Sequence, residues 1–365
     1  MRALGACVPV LLGLALQLGA CSDATNDDAT NDGGTSSGGS AGSSQAGSSR
    51  GGGGSGGSTA TGGSKPMGTA GDSAAGGAGG SDSDFTPPRG ACAFEKRVGR
   101  FSVEAQKDFG VVQGTVLDGV VPTSIPEPVS EEAGCKVLKR RNLVCSPACV
   151  GAETCGEAGS CIPYPHQVSV GKVTIAGLTK PVAMEPQMPG AVYFAPGADN
   201  PPFEPQDEIV LAAAGAGDSA SFQLFGLGSE PLKEAPTWVL EKGKDFELEW
   251  AEPSSGSGTR ILVELTIDQH GQTPLSLSCD LDDTGHATIP TAILDQLITS
   301  GVSGFPNGRI QRRSVDHVEL GDGCVELSVG SALAATVRVA GFTPCKSDKD
   351  CPDDQTCNTV LEKCE

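Results

Sequence analysis

Fourteen cysteines set against four histidines constrain this chain more than any other feature. That many thiols exceeds what a reducing compartment tolerates, so the pattern points to a disulfide framework and an oxidising environment. Cys7 and Cys21 stand apart near the N-terminus. The other cysteines fall into three groups, each even in number: Cys92, Cys135, Cys145, Cys149, Cys155 and Cys161; then Cys279 and Cys324; then Cys345, Cys351, Cys357 and Cys364. Every group can pair within itself, so the sequence predicts that no bridge crosses a module boundary, with Cys92 to Cys135 and Cys279 to Cys324 as the long links.

Around Arg2, a short positive start precedes the apolar run Val8–Leu18, which is too short to cross a bilayer as a helix and reads as an export signal. It ends in Leu18-Gly19-Ala20-Cys21, which resembles the lipobox of bacterial lipoproteins. That resemblance implies cleavage before Cys21 and lipid, palmitate included, on the new N-terminal cysteine. Several acyl chains on one residue exceed the threshold for stable anchoring. Ser22 occupies the position where aspartate signals inner-membrane retention in such lipoproteins, so the resemblance implies an outer membrane lipoprotein, surface-exposed or periplasm-facing. The membrane, reached through Cys21, is one expected partner.

From 21 to 90 the chain is dominated by Gly, Ser and Ala, with almost no large apolar side chain to offset the entropy of ordering. A disordered tether is expected, with an r.m.s. reach of about 45 Å. The formal net charge of −20 repels phosphate backbones, so nucleic acid is not an expected partner.

Two stretches look like copies of one motif. Cys149-Val-Gly-Ala-Glu-Thr-Cys155 aligns with Cys351-Pro-Asp-Asp-Gln-Thr-Cys357, flanked by Cys145 and Cys161 in the first and by Cys345 and Cys364 in the second. Such short segments have no room for a core and rely on crosslinks. They resemble the small EGF-like and Dickkopf-like cysteine-rich modules of extracellular proteins. Four cysteines allow three connectivities; interlaced pairing, first to third and second to fourth, is the expected one. The spacings lack the paired C-x2-C knuckles of structural zinc sites.

Between the knots, period-2 alternation dominates. Ile261, Val263, Leu265 and Ile267 share one face of Arg260–Gln269, and Phe246, Leu248 and Trp250 alternate with Glu247 and Glu249. Similar runs occur at 167–176, 207–213, 221–227, 237–241, 275–281, 324–329 and 334–340, separated by Pro, Gly and Asp turns. The predicted fold is all-β, an antiparallel β-sandwich with small disulfide-rich modules before and after it and a disordered linker in front. One helix is expected after Pro290, where Ile293, Leu294, Leu297 and Ile298 form a stripe and Gly301 can stop it. The organisation read from the sequence is a signal peptide at 1–20, a linker at 21–90, a small cysteine-rich β-module at 91–165 (favoured over extra strands of the main sheet for its strand-like stretches), a β-sandwich at 166–343 and a C-terminal knot at 344–365.

Candidate chemistry is sparse. Asp280, Asp282 and Asp283, followed by Gly285, offer oxygen ligands at calcium-loop spacing, but Thr291 stands where a bidentate glutamate is needed, which favours a polar hairpin turn. Gly215-Ala-Gly217 precedes a predicted strand, not a helix, and reads as a hairpin without a phosphate site. His166, His270, His286 and His317 are scattered, with no nucleophile or carboxylate partner close in sequence. Arg309, Arg312 and Arg313 form a basic cluster beside Phe305-Pro306-Asn307-Gly308; pairing with the abundant carboxylates is favoured over an anionic ligand, and Asp316-His317 reads as an exposed loop.

No catalytic residue and no cofactor is expected. The reading is a lipid-anchored cell-envelope protein displaying a disulfide-braced sandwich as a non-catalytic adhesion or binding module for an unknown protein or glycan ligand. The alternatives are a secreted hydrolase on polysaccharide or peptide, which needs two carboxylates about 5 to 10 Å apart in a cleft, drawn for instance from Glu247, Glu249 and Glu264, or a purely structural envelope component.

Overall fold

The computed structural model describes residues 86–254, 258–270 and 274–365. The signal, Cys21 and nearly all of the linker lie outside the described residues. In chain order the strands are β1 (Arg97–Ala105), β2 (Gly110–Val116), β3 (Pro126–Glu132), β4 (Cys135–Arg140), β5 (Glu153–Cys155), β6 (Cys161–Pro163), β7 (Val173–Ala176), β8 (Val182–Met184), β9 (Tyr193–Ala195), β10 (Glu208–Ala213), β11 (Phe222–Leu227) and β12 (Thr237–Leu240). They continue with β13 (Phe246–Glu249), β14 (Arg260–Thr266), β15 (Leu275–Asp282), β16 (His286–Ile289), helix α1 (Thr291–Ser300), β17 (Asn307–Leu320), β18 (Gly323–Val339), β19 (Cys357–Asn358) and β20 (Lys363–Cys364). Among the described residues the fold is all-β with one α-helix.

A ten-stranded sheet runs β3-β4-β15-β14-β17-β18-β1-β2-β9, and β12 shares the free stretch of β18. Its spine is the β17–β18 hairpin, whose register runs from Asn307 opposite Thr336 to Leu320 opposite Gly323. β18 is long enough to hold two parallel partners on its other edge, β1 along Cys324–Ser331 and β12 along Thr336–Val339; the remaining pairings of this sheet are antiparallel.

Strand alternation places two cores on the same face of this sheet. At one end Phe101, Val103, Val112, Leu327 and Val329 pack against Ile175, Ile209, Leu211 and Leu224 of a second sheet, ordered β11-β10-β7-β8. At the other end Ile261, Val263, Leu265, Leu277 and Leu333 pack against Phe246, Leu248 and Ile289 of the β13–β16 pair and against Ile293, Leu294 and Leu297 of α1. Each such side chain contributes about 1.5–3 kcal/mol by leaving water. The helix begins at Pro290, whose carbonyl accepts from the Leu294 amide, and Gly301 ends it at a positive φ of 135°.

The second sheet must protect β11, an edge strand whose outward amides would template aggregation. Side chains of β17 satisfy them: the Leu227 amide donates to Ser314 Oγ at 2.8 Å and the Phe225 amide to Asp316 Oδ2 at 2.9 Å. The two sheets come close enough there that a Cβ on Gly226 would stand 2.5 Å from Val329 Cγ2.

Three sequence expectations change. The segment 91–165 is not a module apart, because β1 to β4 are strands of the main sheet and only the short β5–β6 pair lies outside it. The long disulfides cross between cysteine groups: Cys92 joins Cys324 and Cys135 joins Cys279. Register is the physical reason, since Cys135 sits directly opposite Cys279 across β4 and β15, and Arg97, just after Cys92, lies opposite Cys324. Finally, the stretch around Asp316-His317 is no exposed loop but the middle of β17, with Asp316 fully buried.

The knots follow the interlaced scheme. Cys145 pairs with Cys155 and Cys149 with Cys161; Cys345 pairs with Cys357 and Cys351 with Cys364. The C-terminal knot docks on the body through the Gly304 amide donating to Leu361 O at 2.9 Å, the His270–Glu362 pair at 3.1 Å and Lys346 over the Phe305 ring.

Candidate functional site: the polar face of the central sheet

The face of the ten-stranded sheet opposite the cores is hydrophilic. Arg100, Ser102 and Glu104 alternate with Phe101, Val103 and Ala105 on β1, and Glu326 and Ser328 alternate with Val325, Leu327 and Val329 on β18. β17 adds Arg309, Gln311 and Arg313, β14 adds Arg260 and Glu264, and β15 adds Asp280 and Asp282. Several of these polar groups are buried, with Glu326, Ser328 and Gln311 each 1% exposed.

A buried charge survives only when it is paired and hydrogen-bonded. Arg309 bonds Glu104 and lies 3.2 Å from Glu264 Oε2, and Gln311 Nε2 donates to Glu104 Oε2 at 3.0 Å. Arg313 reaches Asp280 Oδ2 at 3.2 Å, and Arg260 bonds Asp280 and, at 2.5 Å, Asp282. Burial pulls the Arg260 guanidinium down, but its two aspartates outweigh this and hold it above the ordinary arginine value. Glu326 accepts from the Cys92 amide at 2.6 Å and from Arg97 Nη1 at 3.1 Å.

The calcium-loop candidates are therefore separated by arginines. Asp280 and Asp282 serve Arg260 and Arg313, while Asp283 turns into the seam between the two cores. There it accepts from Arg312 Nε at 2.7 Å, Trp250 Nε1 at 2.9 Å and Thr259 Oγ1 at 2.8 Å. These three carboxylates do not converge on a common point as a calcium loop requires, because three guanidinium groups compete for them. The basic cluster divides likewise: Arg309 and Arg313 face the polar side and Arg312 the cores.

The histidines stay apart. His166 is exposed beside Asp118, His270 meets Glu362, His286 is exposed on β16, and His317 Nδ1 lies 2.8 Å from Gly90 O. Glu247 and Glu249 lie exposed on β13, where Glu247 accepts from Thr288 Oγ1, and Glu264 belongs to the other sheet. Among the described residues, the groups close enough to hold a metal are cysteine trios of the two knots. Their sulfurs are bridged in disulfides and offer no thiolate.

Sequence reasoning missed Arg100, Glu104, Glu326 and Ser328 as one surface. The signal was present in Arg100-Phe-Ser-Val-Glu104 and Glu326-Leu-Ser-Val, two strict alternations of apolar and polar residues. No protein-family model and no curated protein sequence matches this chain.

Proposed function

We propose that this is a lipid-anchored envelope protein that carries a disulfide-braced β-sandwich head on a flexible tether as a non-catalytic binding module. The observation that carries the anchor is Leu18-Gly19-Ala20-Cys21 directly after an apolar export segment. The binding reading is supported by the polar face, whose carboxylates are held by guanidinium groups. Carboxylates that already accept from guanidinium groups fix the geometry of the face. Such a face offers fixed donors and acceptors to a ligand.

Fractionating cells that express the full chain or its Cys21→Ser variant tests the anchor. The parent belongs in the outer-membrane fraction and the variant in the soluble fraction; a variant that remains with the membrane overturns the reading. Protease treatment of intact cells then separates surface display, where the head is cleaved, from a periplasm-facing head, which is cleaved only once the outer membrane is opened.

A further inference from the structure

Three buried side-chain atoms among the described residues have no hydrogen-bond partner: Arg100 Nε, Arg141 Nε and Ser328 Oγ. The charge of Arg141 is nonetheless answered, since its Nε lies 3.3 Å from Glu127 Oε1 and its Nη1 bonds Glu157. The other two atoms are neighbours. β1 and β18 run parallel with Arg100 opposite Glu326 and Ser102 opposite Ser328, so Arg100 and Ser328 are diagonal neighbours on the polar face. Diagonal neighbours on adjacent strands are typically about 7–8 Å apart, within reach of an arginine side chain. Native proteins rarely leave buried donors unmatched, and two on one patch call for an acceptor that the chain itself does not supply.

The charges around them define that acceptor. Of the five arginines that β1, β14 and β17 place on this face, Arg97, Arg260, Arg309 and Arg313 each have a carboxylate within 3.2 Å, and Arg100 has none among the described residues. Glu326 is directly across the strand, but both of its oxygens are committed, to the Cys92 amide and to Arg97. Burial lowers the Arg100 guanidinium from its ordinary value; Glu326 opposes that, Arg313 and Arg97 add to it, and Glu264 opposes it more weakly. Arg100 Nε and Ser328 Oγ are both shielded from solvent, while Arg100 as a whole remains partly open, so a ligand entering from outside has to displace the groups that cover the two donors.

We propose that Arg100 and Ser328 form a binding site for a single carboxylate group carried by a small ligand. The Nε–H and an Nη–H of Arg100 form the planar fork that matches a carboxylate, and Ser328 Oγ–H is the third donor. One uncommitted positive charge calls for one negative charge. A dianion would place its second charge against Glu326 in a site poorly screened by water, which selects a carboxylate over phosphate or sulfate. This assignment rests on reading the head as a binding module and gives that module its ligand chemistry. It does not involve Cys21, so membrane release of the Cys21→Ser variant and loss of ligand binding are separate results.

The test is a titration of the purified full chain in detergent with acetate, at ionic strength held constant with chloride. Thermal unfolding and the Arg100 Nε–H resonance of 15N-arginine-labelled protein are the readouts. Acetate should raise Tm and shift that resonance saturably at millimolar concentrations, with sulfate weaker. Arg100→Gln, which has no Arg100 resonance to follow, should abolish the Tm response and, in chloride alone, unfold at or above the parent temperature, because it removes an unpaired buried cation. Ser328→Ala should weaken the midpoint about 3- to 10-fold, the worth of one hydrogen bond. Arg100→Lys keeps the charge and stem, so it serves if Arg100→Gln does not fold, and it should lose the response with the fork. Indistinguishable curves in acetate and chloride, an acetate response that survives Arg100→Gln, or tighter binding of sulfate than acetate would each overturn the proposal. So would a bound water bridging Arg100 Nε and Ser328 Oγ that acetate does not displace.

Discussion

Arg312 and Asp283 form an ion pair sealed between the two cores, with Nε 2.7 Å from Oδ2, Nη2 3.1 Å from Oδ1 and side chains only 1% and 3% exposed. Arg312 also donates to the Glu230 carbonyl at 3.2 Å and to the Ala251 carbonyl, so it ties the segments that lead into both lobes to the shared hairpin. The seam is polar because the sheet carries one core at each end of a single face and the segments that cross between them bring backbone carbonyls, those of Glu230 and Ala251, which Arg312 satisfies.

Removing one partner strands the other charge in the seam. Asp283→Ala should cost about 3–5 kcal/mol in guanidinium chloride unfolding, and replacing Arg312 and Asp283 together by Met and Leu should cost less than either single change. A loss below about 1 kcal/mol for Asp283→Ala would contradict the sealed geometry.

Asp316 makes acid stability site-specific. Burial raises its carboxyl, but hydrogen bonds from the Arg89 side chain and amide and from the Phe225 amide outweigh this and hold it below the ordinary carboxylate value. A depressed folded value contributes stability above the unfolded pKa of about 3.9 and loses it as pH falls through the folded value. The stability gap between parent and Asp316→Asn should therefore be constant from about pH 5 to 8, above the range where carboxylates titrate, and close as pH drops below about 4. A gap that widens on acidification contradicts the assignment.

Non-reducing peptide mapping should recover Cys92 crosslinked to Cys324 and Cys135 to Cys279, with each knot interlaced. A Cys92–Cys135 peptide would show that the pairing follows the sequence groups instead of the sheet register.

Gly330 lies on β18 opposite Arg313 of β17. A Cβ there would stand 2.2 Å from the Arg312 carbonyl oxygen, a backbone atom that cannot yield without parting the strands. Gly330→Ala should lower stability by about 1–3 kcal/mol or more. Gly119→Ala, with its nearest atom at 3.6 Å, should leave the unfolding temperature close to that of the parent.

Legibility in the sequence followed the contrast between faces. β14 and β13 announced themselves because Ile261, Val263 and Leu265, like Phe246 and Leu248, alternate with polar partners, and α1 did so through Pro290 and its stripe. β17 did not. Its inward residues Arg312, Ser314 and Asp316 are as polar as its outward Arg309, Gln311 and Arg313, since the strand crosses the seam between cores, and a strand polar on both sides has no period to read. The long disulfides were equally hidden, because partners 232 and 144 residues apart are brought together by topology and not by spacing. The knots were legible because their partners lie within 10 to 13 residues.

The Cys92–Cys324 bridge also sets how the head bears load. A pull applied on one side of Cys92 and on the far side of Cys324 passes through the sulfur–sulfur bond and bypasses the intervening chain, whose ends are 232 residues apart. Tension therefore cannot unravel that stretch while the bridge is closed, and a single backbone cut within it leaves the two pieces joined. In a stretching experiment the reduced protein should release far more contour length than the oxidised one, and the difference measures how much of the head the bridge shields from force.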